Sequence, residues 1–160
     1  MPIQDTTASV ITPEQLLEHW QGHRRVTRRA IEAFSDVQLR NFSLGGMRPF
    51  GEMAMEVISM AVPCLRGLVN GDWTMGTRDV PPTKSELLAL WDEATEEINT
   101  LWAQVPAQKW QENVMAFGQY AGPAFQTILY VIDNEIHHRG QGFVYLRALG
   151  IEPPAFYDRS

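Results

Sequence analysis

The sequence predicts an all-α protein, a four-helix bundle, and three observations lead to that prediction. Apolar residues recur every three to four positions through four long segments, the spacing that places them on one face of a helix. Helix-capping signals open the first and third segments, and Gly150 is positioned to end the fourth. No segment shows the alternation of apolar and polar residues that is typical of a strand. Four such helices around one core form a bundle.

Length and composition indicate a single domain, residues 1–160. Of the 160 residues, 44% are hydrophobic and 20% are charged, which is too apolar for a disordered chain. The single cysteine, Cys64, excludes an intramolecular disulfide framework and is expected to be a buried, unreactive thiol. No apolar run approaches the ~18 residues that span a bilayer, and MPIQDTTASVITPEQ lacks the layout of a signal peptide. We therefore expect a cytoplasmic protein with no membrane partner.

The first helix is predicted to begin at Pro13. Thr12 precedes it as the capping residue, and Gln15 completes a capping box three positions later. Its apolar face comprises Leu16, Trp20, Ile31 and Phe34.

Four arginines form a basic cluster on this helix: Arg24, Arg25, Arg28 and Arg29. Such a cluster is usually solvated or paired with acidic neighbours, and the alternative is binding to nucleic acid. Because the formal net charge of the chain is -6, the whole molecule repels phosphate. We therefore expect no nucleic-acid partner.

The second helix is predicted from Pro49 to about Val69, after the loop NFSLGGMRP. Its apolar face comprises Met53, Val57, Met60 and Cys64. Pro63 lies inside this helix and is expected to kink it, because proline cannot donate a backbone hydrogen bond.

The third helix follows the loop NGDWTMGTRDVPP, and Thr83 and Glu86 form its capping box. Its apolar face is the clearest in the chain and comprises Leu87, Trp91, Ala94, Ile98, Leu101 and Val105.

The fourth helix is predicted from Pro123 to Gly150, and the segment 106–122 before it is interpreted as irregular. Gly150 is suited to a left-handed cap, and the prolines that follow prevent continuation. The loop after the first helix is predicted to be short. The loops after the second and third helices are longer and could permit a crossover.

The candidate functional residues lie on the second and fourth helices. Asn134 and His138 are four residues apart and share one helix face, whereas His137 points about 100° away. Glu56 follows Glu52 by one turn and is expected near the rim of the core, where a carboxylate is costly unless it is paired or bound to a metal. The alternative is that Glu56 pairs with an arginine and His138 is a hydrogen-bonded core histidine.

His19 and His23 are also four residues apart, on the first helix. This spacing could hold a metal ion, but no third ligand is evident nearby. We expect the pair to be solvated or to line a pocket, with His23 closer to the core.

The run NEIHHRGQGFVYLRALGIEPPAFY resembles the carboxy-terminal signature of the DinB/YfiT-like superfamily of four-helix bundles. The resemblance implies a bundle with a long crossover, a homodimer, and a divalent metal held by three histidines, one on the second helix and two on the fourth. Carried over by position, these ligands fall on Glu56, Asn134 and His138, of which only His138 is a histidine. Among nickel, zinc, manganese and iron, this set suits the harder manganese or iron. Equally, the three side chains could hydrogen-bond to one another and close the site without a metal.

The resemblance also suggests a function, because characterised members of the superfamily include thiol-dependent transferases and isomerases. The first hypothesis is a metal-dependent thiol transferase acting with a low-molecular-weight thiol, in which His23, Glu52 and Tyr145 line the pocket. The alternative is a non-catalytic, metal-free homodimer that binds a small ligand or has a stress-related role. Neither hypothesis assigns a catalytic residue.

Overall fold

Four long helices form a bundle in the computed structural model, which describes residues 9–160. Residues 1–8, which belong to the segment compared above with signal peptides, lie outside the described range. The elements are α1 (Pro13–Ala33), α2 (Asp36–Asn41), α3 (Phe50–Asn70), α4 (Lys84–Trp102), a 3₁₀ helix (Ala107–Gln111), β1 (Asn113–Ala116), β2 (Tyr120–Pro123) and α5 (Ala124–Ala148). The predicted four-helix bundle is confirmed, with α1, α3, α4 and α5 as its members.

The order of the helices around the bundle requires two crossing connections. α1 packs against α4 and α5, and α3 packs against the same two helices. In cross-section, α1 therefore lies diagonally opposite α3, and α4 lies diagonally opposite α5. The first crossing connection is residues 34–49, which contain α2, so the prediction of a short loop after the first helix is wrong. The connection between α3 and α4 joins neighbours, and the segment 103–123 makes the second crossing.

Helix boundaries follow local capping chemistry. Thr12 with Gln15 and Thr83 with Glu86 form complete capping boxes, as predicted. The short helix α2 was not predicted, although Ser35 and Gln38 form a third capping box. At the end of α5, Gly150 has a φ of 74°, the left-handed conformation expected of it.

A β-hairpin replaces the irregular segment predicted before the last helix, so the prediction of no strands is wrong. β1 and β2 pair antiparallel, with Ala116 opposite Tyr120 next to the turn. Phe117 and Gly118 adopt φ values of 53° and 70° in that turn. Because a left-handed phenylalanine is strained, other contacts must hold it. Its ring packs edge-on against Trp73, with 5.4 Å between the ring centroids.

The loop between α3 and α4 is hydrogen-bonded to the turn of α3 that precedes Pro63. The helix continues through Pro63, which has no N–H to donate to the carbonyl of Ser59 one turn earlier. The backbone N–H of Gly76 donates to that carbonyl at 3.0 Å instead. A Cβ on Gly76 would lie 3.2 Å from the Cα of Ser59, so glycine permits the close approach. This bond fixes the loop that carries Met75 and Arg78.

The core divides into two apolar clusters along the bundle. One is centred on Trp20, Leu65 and Ile98, and the other on Phe34, Met53 and Trp91, with Cys64 buried in the first. Burial raises the pKa of the Cys64 thiol to about 12. Across residues 9–160, no helix is both long enough and apolar enough to cross a membrane.

Candidate functional site

Glu56 lies at the centre of a polar cluster between α3 and α5. Asn134 and His138 occupy successive turns of α5 on the face that meets α3, as their spacing predicts. Nδ2 of Asn134 donates to Oε1 of Glu56 at 3.3 Å, and Nε2 of His138 lies 3.1 Å from the same oxygen. The other ring nitrogen of His138 lies 3.0 Å from Oε1 of Gln141. Asn134 and His138, both selected from the sequence, therefore each contact Glu56, the third selected residue.

Two arginines from loops face the second oxygen of Glu56. Nη1 of Arg48, just before α3, lies 2.6 Å from Oε2, and Nη1 of Arg78, from the anchored loop, lies 3.5 Å from it. Burial alone would raise the pKa of Glu56. Hydrogen bonds from Arg48, His138 and Asn134, with the charge of Arg48, outweigh burial and lower that pKa to about 2. Glu56 is thus a carboxylate that only accepts hydrogen bonds.

A cavity of about 490 Å³ opens beside this cluster, and Glu56 belongs to both. Its walls come from α3, the loop 71–83, the hairpin and the first turns of α5. The charged side chains that line it are Glu56 and Arg78, and the other lining residues are Met60, Met75, Ala116, Phe117, Gln119, Tyr120, Ala121, Gly122, Gln126, Thr127, Tyr130 and Val131. The hairpin, which the sequence prediction missed, therefore supplies much of the wall.

The residues predicted to line the pocket lie elsewhere. Tyr145 is buried two turns beyond His138 and donates to the backbone carbonyl of Arg48 at 2.8 Å. His23 faces Arg139 on the opposite side of α5, because α1 packs there. Glu52, one turn before Glu56, is half-buried and is not among the lining residues. Helical spacing predicts the turn on which each of these residues lies, but not the neighbouring element that its face meets.

A second polar network, not predicted from the sequence, connects α1 with the other face of α5. Glu135 is fully buried and accepts from the hydroxyl of Thr27 at 2.7 Å and from Nε1 of Trp20 at 3.2 Å. Nη1 of Arg24 lies 3.7 Å from Glu135, and its guanidinium stacks 4.0 Å above the Trp91 ring. A signal was available, because Arg24 follows Trp20 by four residues and so shares its inward face.

Arg139 extends this network one turn further along α5. Its Nη2 lies 3.1 Å from Nδ1 of His23, and its Nη1 donates to the His23 carbonyl at 3.0 Å. Nε2 of His23 lies 3.2 Å from Nε2 of His19. The two predicted histidines therefore contact each other at the edge of the network.

The basic cluster of α1 is engaged within the chain. Arg28 pairs with Asp92 at 2.7 Å and with Glu32, as expected of a paired charged face. Arg25 donates to the carbonyl of Arg159 at 2.6 Å and also pairs with Glu18. Arg29 donates to the carbonyls of Asp158 and Ser160. The interpretation of all four arginines as one charged surface is wrong for Arg24, because its side chain is only 1% exposed.

Comparison with known proteins assigns the family. A sequence profile of the DinB family matches residues 77–160, just over half of the chain. The chain belongs to the DinB family. The predicted resemblance is confirmed, and the matched range includes α4, the hairpin and α5 with Asn134 and His138.

Individual relatives match this DinB-family chain over most of its length. YrdA of Bacillus subtilis (strain 168), an uncharacterized protein, is 21% identical over 152 residues, which cover 91% of this chain and 88% of the relative. A DinB-like protein from Bacillus cereus ATCC 10987 has a TM-score of 0.75 at 19% identity, covering 90% of this chain and 97% of that one. The DinB-like protein YjoA of Bacillus subtilis has a TM-score of 0.74 at 21% identity, covering 91% and 99%. At these identities the structural likeness establishes the fold.

The divalent metal that the DinB resemblance implies does not fit the side chains around Glu56. Asn134 and His138 both direct N–H groups at the carboxylate, since Glu56 only accepts. Arg48 and Arg78 place two positive charges beside it, and these oppose a further cation. Within the described range, no group of three or more His, Cys, Asp and Glu side chains could hold a metal ion.

Proposed function

We propose that this DinB-family protein binds a small, largely apolar molecule in the cavity beside Glu56, and that it does so without a metal ion. The observation that carries the proposal is the cavity itself, about 490 Å³ in volume. Its walls are mostly thioether, aromatic and aliphatic, with a few polar side chains among them. This size and this lining are typical of small-molecule sites in proteins.

The hydrogen bonds around Glu56 support a metal-free site. The carboxylate receives N–H groups from Asn134 and His138 and an ion pair from Arg48. A divalent cation would have to displace these donors and overcome the charges of Arg48 and Arg78. The cluster is therefore better suited to holding α3 and α5 together beside the ligand than to coordinating a metal.

Elemental analysis of tag-free protein tests the metal-free part of the proposal. After incubation with manganese, iron, nickel or zinc and then dialysis, we expect far less than one equivalent of metal per chain. One retained equivalent that is lost in His138→Ala and kept in His137→Ala would contradict the proposal. His137 is the matched control because it is exposed and is the preceding residue of α5.

Calorimetric titration with naphthalene probes tests the ligand-binding part. We expect 2-naphthoate or 2-naphthamide to bind the wild-type protein, and Met60→Trp to abolish binding because it places an indole in the cavity wall. Met115→Trp is the control, since Met115 is exposed on β1 and does not line the cavity. Absence of binding by both probes at about 1 mM, or equal binding by both variants, would contradict the proposal.

A second function, metal-dependent thiol transfer, is favoured by one observation. Glu56, Asn134 and His138 stand where the DinB resemblance implies the metal ligands, and Nδ2 of Asn134 and Nε2 of His138 both lie within 3.3 Å of Oε1 of Glu56. This function requires the retained equivalent of metal that the elemental analysis measures. The same experiment therefore distinguishes the two functions.

A further inference from the structure

The charges around Glu56 do not balance. Arg48 approaches Oε2 of Glu56 at 2.6 Å and forms the close ion pair, whereas Arg78 approaches the same oxygen at 3.5 Å. Among residues 9–160, neither arginine has another carboxylate within 4.0 Å. One carboxylate therefore faces two guanidinium groups, and one positive charge remains without a close partner.

The surplus charge lies on the wall of the cavity. Arg78 lines the cavity and Arg48 does not, and the side chain of Arg78 is 52% exposed. Its loop is held in place by the bond between Gly76 and Ser59, so the guanidinium is presented from a fixed backbone. A guanidinium binds a carboxylate through two parallel hydrogen bonds, and it binds more strongly beside apolar walls than in water.

The other groups of the cavity fit the rest of such a ligand. Met60, Phe117 and Val131 offer an apolar surface, on which an aromatic or alkyl body can pack. Gln126 and Thr127 supply uncharged hydrogen-bonding groups. Because Glu56 is already paired with Arg48, it offers no free negative charge for a cationic ligand. Among the described residues that line the cavity, Arg78 is the one arginine or lysine, and one such cation matches a monoanion better than a dianion.

We infer that the ligand of this cavity is an aromatic or alkyl monocarboxylate whose carboxylate pairs with Arg78 while its apolar body packs against Met60, Phe117 and Val131. The inference rests on the proposed function, because it requires that the cavity binds a small molecule. It adds the chemical class of that molecule and the residue that selects it.

The experiment compares 2-naphthoate with 2-naphthamide, which have nearly the same shape and differ in charge. Calorimetry on the wild-type protein is expected to show that naphthoate binds at least about tenfold more tightly, the effect of one charged hydrogen-bonding pair. Arg78→Gln should remove this preference by weakening the binding of naphthoate far more than the binding of naphthamide. Arg78→Lys should restore part of it, because lysine keeps the charge and loses the two-bond geometry. Arg147→Gln is the control, with the same change of charge at an exposed position of α5 outside the cavity.

The outcomes separate this inference from the proposed function. Equal affinities for naphthoate and naphthamide in the wild-type protein, with both lost in Met60→Trp, would overturn the inference and leave the proposed function standing. A preference for naphthoate that persists in Arg78→Gln would also overturn it. Absence of binding by both probes would overturn the proposed function together with the inference.

Discussion

Two glycines of α5 lie two residues apart, one exposed to solvent and the other packed against a side chain of α3. A Cβ on Gly140 would meet no heavy atom of residues 9–160 within 4 Å, whereas a Cβ on Gly142 would lie 2.5 Å from the ring of Phe50. Gly140 is therefore exposed on the helix surface, and Gly142 allows α5 to approach the first turn of α3. The difference in packing leads to a difference in their tolerance of alanine.

We predict that Gly140→Ala stabilises the protein and Gly142→Ala destabilises it. Alanine in an exposed helical position gains about 0.5–1 kcal/mol over glycine. At position 142 the methyl group forces Phe50 to move, at a cost of about 1–3 kcal/mol. Urea denaturation of the two variants measures both changes, and equal effects of the two substitutions would contradict the assignment of Gly142 to the contact.

His23 makes the fold sensitive to acid. Burial first, and then the charges of Arg139, Arg159 and His19, lower the pKa of His23 from 6.5 to about 3. In the unfolded chain the imidazole takes up a proton near pH 6.5, while in the folded protein it does so only near pH 3. Between these values the unfolded state binds more protons, so the stability that His23 contributes is lost as the pH falls.

We predict that His23→Gln flattens the decline of stability between pH 6.5 and about 3. One proton accounts for a slope of at most about 1.4 kcal/mol per pH unit. The glutamine can still accept from Arg139, so the variant is expected to fold. Urea denaturation at a series of pH values measures the slope, with His137→Gln on the exposed side of α5 for comparison. An unchanged slope in His23→Gln would show that His23 is not the group responsible.

Helix α5 contacts both α3 and α1, and it does so through two pairs of polar residues. The pair that faces α1 follows the pair that faces α3 by one position in the sequence. Asn134 and His138 face α3, while Glu135 and Arg139 face α1. A one-residue offset corresponds to about 100° around a helix. The buried network with α1 therefore fixes the rotation of α5 that presents Asn134 and His138 to Glu56.

We predict that Arg24→Met destabilises the protein far more than Arg28→Met, although the two arginines are one turn apart on α1. Removing Arg24 deprives the fully buried Glu135 of the cation that lies 3.7 Å from it, at a cost of about 3–5 kcal/mol. Arg28 is 36% exposed, and its pairs contribute about 0–1 kcal/mol. Urea denaturation measures both, and Glu135→Gln in the Arg24→Met background is expected to recover part of the loss. Equal effects of the two methionine substitutions would refute the buried pair.

The overall charge of the protein opposes binding to nucleic acid. The formal net charge is -6, and the arginines of α1 are engaged by acidic side chains or by the carbonyls of residues 158–160. Arg24 is buried and offers no surface charge. A cluster that looks basic in the sequence is thus largely neutralised in the fold.

We therefore predict no saturable binding of a fluorescent DNA duplex at micromolar protein and about 50 mM salt, where non-specific phosphate contacts are strong. Fluorescence anisotropy provides the measurement. Binding that weakens steeply as the salt concentration rises would show that the arginines are free for phosphate and that their pairing is misassigned.

Local periodicity and capping chemistry determined the four long helices, two of their starts, and the shared face of Asn134 and His138. These features depend on residues within a few positions of one another, so they can be predicted from local sequence. Tertiary structure alone decided that Arg48 and Arg78 meet Glu56, that Arg24 is buried, and that a hairpin forms the cavity wall. Each of these depends on contacts between residues distant in the chain, and helical spacing carries no information about which face a neighbouring element will cover.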